Sequence, residues 1–186
     1  MAIKTTVFSE YEVRELVVKL GTETCPIGCI GSLEEETEVI QITKKCRGVV
    51  AKKRTRGTGS GTLKLTAHMP RDLYNRLMAM KSDKLKPGVT AYGRSSVHPE
   101  FVLTGRVFDE DENEKLKAWP VCVMNTGPAS KVENGAEEVA EFEVEIGFSP
   151  DENGFGHYEC DLEDATEDVK NAWMESFTPE LVKAAE

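Results

Sequence analysis

The amino-acid sequence predicts a mainly β fold with one flanking α-helix and a C-terminal helical arm. Apolar and polar residues alternate over Leu63–Ala67 and again over Ala136–Gly147, and a period of two is typical of half-buried strands. Between these stretches, apolar residues that follow Pro70 recur at the spacing of one helix face. Clusters of Gly, Pro, Asn and Asp separate the apolar stretches, as expected of turns in an antiparallel sheet.

The first half of the chain contains three predicted strands and the helix. Residues 15–20 and 37–43 are rich in β-branched and aliphatic residues, which favours strands, whereas residues 21–31 contain three glycines and a proline and predict a loop. Residues 44–61 are first basic and then Gly-rich, so we expect a long hairpin-like loop that leads into a strand at 62–67. Pro70 suits the first turn of a helix that ends before residues 86–88.

The second half of the chain predicts five more strands and two short helices. The strands are expected over residues 89–92, 100–108, 118–124, 136–147 and 156–160, with turns at 109–114 and 149–154. Val169, Trp173 and Phe177 recur at helical spacing, and Thr178 precedes a last short helix. We therefore predict an N-terminal arm (1–14), a β domain (15–163) and a helical arm (164–186).

The predicted strand at 136–147 carries carboxylates on one face. Its apolar residues alternate with Glu141, Glu143 and Glu145. Carboxylates about 7 Å apart on one strand face repel each other. We therefore predict that this face lies at a surface past which something negative moves, or against which something positive binds.

Composition indicates one acidic domain with a local excess of basic residues. A chain of 186 residues fits a single core, and a net charge of −10 argues against general nucleic-acid binding. Seven of the 23 Lys and Arg residues nevertheless lie within the thirteen positions 44–56. The sequence contains no run of about 20 apolar residues and no signal-peptide pattern at its start, so we expect no membrane anchor.

The basic segment allows three interpretations. Strand parity places Val50, Lys52, Arg54 and Arg56 on one face and Lys53 on the other. The segment is either a solvated edge that resists aggregation, or an inter-subunit surface that binds the glutamate face of a neighbouring copy, or a nucleic-acid site. Contact between two different patches of one protein generates rings or open helical stacks.

No catalytic, cofactor-binding or metal site is predicted. Gly57–Gly61 lacks the lysine and the following helix of a phosphate-binding loop, so we interpret it as a flexible turn. The acidic residues 109–112 lack the EF-hand spacing. The five cysteines cannot all pair within one chain, and the Cys25/Cys29 spacing has no second ligand pair, so free structural thiols are expected.

The order of these segments resembles that of bacteriophage tail-tube (major tail) proteins of long-tailed phages, which are related to the type VI secretion tube protein. The segments that carry the resemblance lie within Thr37–Tyr158. They are the charged and Gly-rich excursion, the strand that leads into one helix, the segment Phe101–Phe108, an acidic turn followed by Ala118–Val121, and Asn134–Phe142.

The resemblance implies an antiparallel β-sandwich or half-barrel that joins its neighbours into a tube. Such proteins form stacked, usually hexameric, rings around a channel for the genome, and arms and a long loop reach adjacent subunits. The implied partners are other copies of the chain, tape-measure, tail-tip and tail-terminator proteins, and double-stranded DNA that passes without tight binding. The implied location is the virion tail, assembled in the host cytoplasm.

Two questions stay open at this point. Glu141, Glu143 and Glu145 either line the channel or face Lys52, Arg54 and Arg56 of a neighbour. The protein is either a tube subunit or, alternatively, a head–tail connector or tail-terminator ring, and a nucleic-acid-binding module that uses residues 44–56 is a further alternative.

Overall fold

The computed structural model of the chain describes residues 7–80, 84–135 and 139–184. These residues form eight strands, two α-helices and one 3₁₀ helix. The elements are β1 (Glu12–Leu20), β2 (Glu23–Ile27), β3 (Cys29–Cys46), β4 (Val49–His68), α1 (Arg71–Leu77), β5 (Phe101–Phe108), β6 (Glu114–Met124), β7 (Phe142–Phe148), β8 (Tyr158–Asp161), α2 (Glu167–Ser176) and the 3₁₀ helix Pro179–Val182.

All eight strands belong to one antiparallel sheet, which confirms the mainly β prediction. The strand order is β2-β1-β5-β6-β7-β4-β3, and β8 pairs with β6 outside this path. β2 and β3 are consecutive in the chain, yet they lie at opposite ends of the strand order. The sheet therefore curves round towards itself without closing into a barrel.

The main core lies on the inner face of the curved sheet, where α1 covers it. Leu63, Leu65 and Ala67 of β4 are at most 1% exposed, as their alternation predicts. Leu73, Tyr74, Leu77 and Met78 pack against them from the helix side, together with Trp119 of β6 and Ile146 of β7. Burial of this apolar set, about 25 cal/mol per Å², is the main stabilising term of the fold.

The predicted C-terminal helical segment packs on the outer face of the sheet of its own chain. Trp173 and Phe177 are 1% and 2% exposed, and they contact Val17, Leu116 and Ala118 from β1 and β6. The Trp173 Nε1 donates a hydrogen bond to the Lys117 carbonyl oxygen at 3.0 Å. Residues 167–182 thus pack on the outer face at β1 and β6.

Two predictions about local structure are wrong. Residues 21–31 contain β2 instead of a loop, since a strand at the end of a sheet tolerates Pro26. Residues 89–92 form no strand. The helix ends before residues 86–88, as predicted, but it ends as early as Leu77, two residues before Ala79 adopts a positive φ of 50°. Of the predicted N-terminal arm, residues 1–6 lie outside the described residues, and Glu12 already belongs to β1.

The prediction of a long loop at 44–61 is also wrong, and this difference affects the candidate assembly surfaces. β3 and β4 are 18 and 20 residues long and pair with each other from Cys29/His68 to Cys46/Val49. The segment is thus the end of β3, a two-residue turn and the first half of β4. Backbone pairing with two register shifts, near Glu38 and at Lys44/Lys45, replaces the expected irregular loop. β-branched residues such as Ile42 and Thr43 favour this pairing.

Candidate assembly surfaces

Residues 39–57 form a hairpin that extends beyond the sheet, which we call the projecting hairpin. Every residue in it is exposed, including five apolar side chains that are 52–70% exposed: Val39, Ile40, Ile42, Val49 and Val50. Its eight paired residues on the β3 side span about 25 Å. The turn at Arg47 and Gly48 has φ values of 50° and 81°, the sign pattern of a tight two-residue hairpin turn.

The register of the projecting hairpin corrects the predicted face assignment. Lys44 pairs with Lys52 but Lys45 pairs with Val50, so Ala51 is an extra residue on β4. This bulge moves Val50 to the face opposite Lys52, whereas Arg54 and Arg56 stay with Lys52. The cations at 52, 54 and 56 share their face with Ile40, Ile42 and Lys44, and Lys53 lies on the other face.

The base of the projecting hairpin is closely packed, which contradicts the prediction of a flexible turn at Gly57–Gly61. These residues belong to β4, and Gly59 has a φ of 79° where the register with β3 shifts. The Thr58 hydroxyl donates to the Glu38 carbonyl oxygen at 3.2 Å. A Cβ on Gly156 would overlap the Gly59 carbonyl oxygen. Glycine is needed here because two backbone segments touch.

The glutamates of β7 lie on the outer face of the sheet, opposite the core. Glu143 pairs with Thr66, and Glu145 pairs with Lys64, which pairs in turn with Glu34 of β3. Glu36 lies two residues further along β3, on the same face. We call Glu34, Glu36, Glu143 and Glu145 the outer acidic face.

Glu141 departs from the predicted stripe. β7 begins at Phe142, and residues 136–138 of the predicted strand lie outside the described residues. The Glu141 carboxylate lies 4.0 Å from the His68 Nε2 and beside Gly31. Glu34 and Glu36 take its place in the acidic surface. Sequence alternation did not reveal their position, because Glu35, which lies between them and points to the other face, is also charged.

The predicted acidic and basic residues do not meet within one chain. No ion pair joins the outer acidic face to the basic residues of the projecting hairpin among the described residues. β7 pairs with β4 over Phe142–Phe148, and with β6 on its other side only over Ile146–Phe148. The two sets therefore form separate surfaces on one molecule.

An internal ion cluster lies at the open end of the curved sheet, and sequence reasoning missed it. The Lys117 Nζ is 2.7 Å from Glu10, 3.4 Å from Glu35 and 3.3 Å from Glu159, and the Lys117 side chain is 7% exposed. The Trp119 Nε1 donates to Glu35 at 3.1 Å. The cluster borders a cleft of about 660 Å³ between β1 and β3. It anchors residues that precede β1 to the wall of the sheet.

Charge pairing governs protonation in this cluster. Burial alone would lower the pKa of Lys117, but the hydrogen bond to Glu10 and the surrounding carboxylates outweigh it, so this pKa lies above its ordinary value. Burial alone would raise the pKa of Glu159, but the charge of Lys117 and a hydrogen bond from Lys115 hold it below its ordinary value. Both shifts stabilise the folded state around neutral pH.

We expect Lys117→Met to lower the free energy of unfolding by about 2 kcal/mol or more at neutral pH, because three carboxylates lose their buried partner. The wild type loses stability as the pH falls through the depressed pKa of Glu159, since its carboxylate must be protonated. The variant should instead gain stability from about pH 7 to about pH 5, because protonation relieves carboxylate repulsion. Urea denaturation across pH measures both slopes.

The exposed Lys86→Met is the matched control for this measurement, and it should change the free energy of unfolding by less than about 0.5 kcal/mol. Parallel pH profiles for Lys117→Met and the wild type would contradict the assigned cluster.

The described ranges contain no group of three or more His, Cys, Asp or Glu side chains placed to hold a metal ion. All five cysteines are free thiols, and the burial of Cys122 raises the pKa of that thiol. No described helix has the length and apolar character needed to span a membrane.

Comparison with known proteins finds similarity at the level of solved structures. No family model matches the sequence, and no curated protein matches it. One similar chain comes from the sheath–tube complex of the extracellular contractile injection system PVC in its extended state. It has a TM-score of 0.47 and 10% identity over 81% of this chain and 91% of that chain.

Two further similar chains come from the anti-feeding prophage. A chain of its tube-terminating cap has a TM-score of 0.47 and 12% identity, covering 87% of this chain and 100% of that chain. A chain of its six-fold symmetrised baseplate has a TM-score of 0.44 and 11% identity, covering 87% and 99%. At these identities the surfaces of the chain itself must carry any functional proposal.

Proposed function

We propose that this protein is a structural subunit that assembles with its own copies into stacked rings, which form the tube of a phage tail or tail-like particle. The projecting hairpin is the observation that carries this proposal. An isolated two-stranded hairpin is at best marginally stable in water, and this one exposes five valine and isoleucine side chains. Neighbouring copies that cover it would supply the missing contacts.

Charge within the projecting hairpin supports the same proposal. Lys44 lies directly opposite Lys52, and like charges in that position destabilise a strand pair. None of the seven cations at 44–56 makes an ion pair among the described residues. An acidic partner surface would relieve this repulsion, and a protein with a net charge of −10 offers such a surface in every copy.

The outer acidic face supports a role as the wall of a channel. Glu34 and Glu36 lie on β3 and Glu143 and Glu145 lie on β7, and these two strands flank β4, which carries Lys64 between them. A wall of carboxylates repels the phosphate backbone and keeps DNA from adhering during passage. We propose that Glu143 and Glu145 of this face line the lumen of hexameric rings through which the genome passes. Tape-measure, tail-tip and terminator proteins are the further proposed partners of the tube. The role is mechanical and needs no catalytic residue.

Reversal of two hairpin charges tests this function. Arg54→Glu with Arg56→Glu should prevent the formation of normal tubes, observed by negative-stain electron microscopy. The free energy of unfolding of the monomer should change by less than about 0.5 kcal/mol, because exposed charges contribute little to it.

Lys86→Glu with Arg94→Glu makes the same change in net charge at exposed positions away from the hairpin, and this control should assemble as the wild type does. Tubes of normal length from the Arg54/Arg56 variant would rule out a hairpin contact between copies.

A further inference from the structure

Two of the strand edges that lack a strand partner among the described residues carry runs of opposite charge. β3 pairs with β4 along one edge, and its other edge has no strand partner between Glu34 and Cys46 among the described residues. β4 pairs with β7 only from Gly61 onward, so its edge before Gly61 is likewise open within the described chain. An open edge presents unpaired backbone N–H and C=O groups to any strand that can align with it.

The open edge of β3 begins with an acidic run, Glu34-Glu35-Glu36-Thr37-Glu38. Glu34, Glu36 and Glu38 are exposed and share one face by strand alternation. Glu35 points to the other face, where it bonds to Trp119 and Lys117 of its own chain. The three exposed carboxylates are therefore the ones available to a partner.

The open edge of β4 carries a basic run of the same length, Lys52-Lys53-Arg54-Thr55-Arg56. Both runs have four charged residues and a threonine in the fourth place. Lys52, Arg54 and Arg56 are exposed on one face, and their partners on β3 of the same chain are Lys44, Ile42 and Ile40. No carboxylate of the same hairpin lies opposite these cations.

We propose that the acidic run of one copy and the basic run of a second copy pair as adjacent strands of one continuous sheet. When the two five-residue runs align residue for residue, whether the strands run parallel or antiparallel, Glu34, Glu36 and Glu38 fall on the same face as Lys52, Arg54 and Arg56. A register shift by one residue would place these charges on opposite faces, so the charge pattern specifies the register. Backbone hydrogen bonds supply the affinity, as in other strand additions.

This contact rests on the proposed function and locates its interface. It joins two different surfaces, so each copy offers one acidic and one basic edge to two neighbours. Heterologous contacts of this kind generate closed rings or helical stacks rather than symmetric dimers. The pairing also places the carboxylates of Glu34, Glu36 and Glu38 on the same face as Lys44 and Lys52, whose like charges repel each other.

Complementary charge reversal tests the pairing. One variant carries Glu34→Lys, Glu36→Lys and Glu38→Lys, and the other carries Lys52→Glu, Arg54→Glu and Arg56→Glu. Each variant alone has two edges of the same sign, and we expect it to sediment as a monomer and to form no tubes. In an equimolar mixture every contact joins opposite charges, so assembly into tubes should return.

The control variant carries Glu110→Lys, Glu163→Lys and Glu175→Lys, which makes the same charge change as the first variant at exposed positions outside both runs. It should assemble as the wild type does. Assembly by either triple variant alone would overturn the pairing, and so would a mixture that stays monomeric while the wild type and the control form tubes. In the second case the proposed function would stand with a different contact.

A wild-type protein that forms no tubes would contradict the proposed function separately. Sedimentation of the mixture still decides the pairing in that case. Mixed oligomers that neither variant forms alone would support it, and monomers throughout would overturn both proposals.

Discussion

Replacement of the projecting hairpin by a two-residue Asn-Gly turn between Glu38 and Thr58 should yield a folded monomer that forms no tubes at any concentration. The Thr58 hydroxyl donates a hydrogen bond to the Glu38 carbonyl oxygen, and the next residues, Val39 and Gly57, are paired, so a tight turn can join Glu38 to Thr58. The removed residues 39–57 are all exposed and contribute no side chain to either core cluster. The loss should therefore fall on assembly, observed by negative-stain electron microscopy and sedimentation.

Folding of this deletion variant is checked by its urea denaturation midpoint, which should equal that of the wild type. If the two midpoints are equal, a failure to assemble cannot be assigned to unfolding. Glu34, Glu36 and the core strands are all present in the variant. Tubes formed by the deletion variant would show that the hairpin is dispensable, and they would refute both its proposed role and the strand pairing with the acidic run.

Trp173→Ala should lower the free energy of unfolding by about 3–5 kcal/mol, the usual cost of removing a fully buried tryptophan side chain. The indole packs against the Phe177 ring with centroids 4.8 Å apart, and its Nε1–H bonds to the Lys117 carbonyl oxygen. Its loss leaves a cavity between α2 and the outer face of β1 and β6. Guanidinium denaturation of the monomer measures the change.

Glu175→Ala in the same helix is the matched control, because Glu175 is exposed and should contribute less than about 0.5 kcal/mol. A cost below about 1 kcal/mol for Trp173→Ala would mean that α2 does not pack on the sheet of its own chain. The segment would then act as the arm that the sequence predicts.

Hydrophobic alternation made much of the sheet predictable. Leu65 and Val144 are buried, and their polar neighbours are not, because a strand with one covered face repeats its burial every second residue. The helix after Pro70 was predictable for the same kind of reason. Its early end was not, since the positive φ of Ala79 depends on tertiary contacts rather than on a glycine or proline signal.

The assembly surfaces were only partly predictable. The basic run was visible as composition, but the bulge at Ala51 that sets its faces has no sequence signature such as a glycine. The alternation of Lys115 and Lys117 with Leu116 and Ala118 indicates a solvated face. Both lysines instead point into the open end of the sheet, where Lys115 forms an ion pair with Glu159 and Lys117 forms one with Glu10. Compensation by residues distant in sequence cannot be deduced from local periodicity.

The purified wild-type protein should form hollow tubes, and negative-stain electron microscopy over a range of protein concentrations observes them directly. We expect stacked rings or hollow tubes whose length grows with concentration. Lone closed rings would indicate a connector or terminator in place of a tube subunit. Monodisperse monomers at every concentration would contradict the proposal that this chain builds a tube from its own copies.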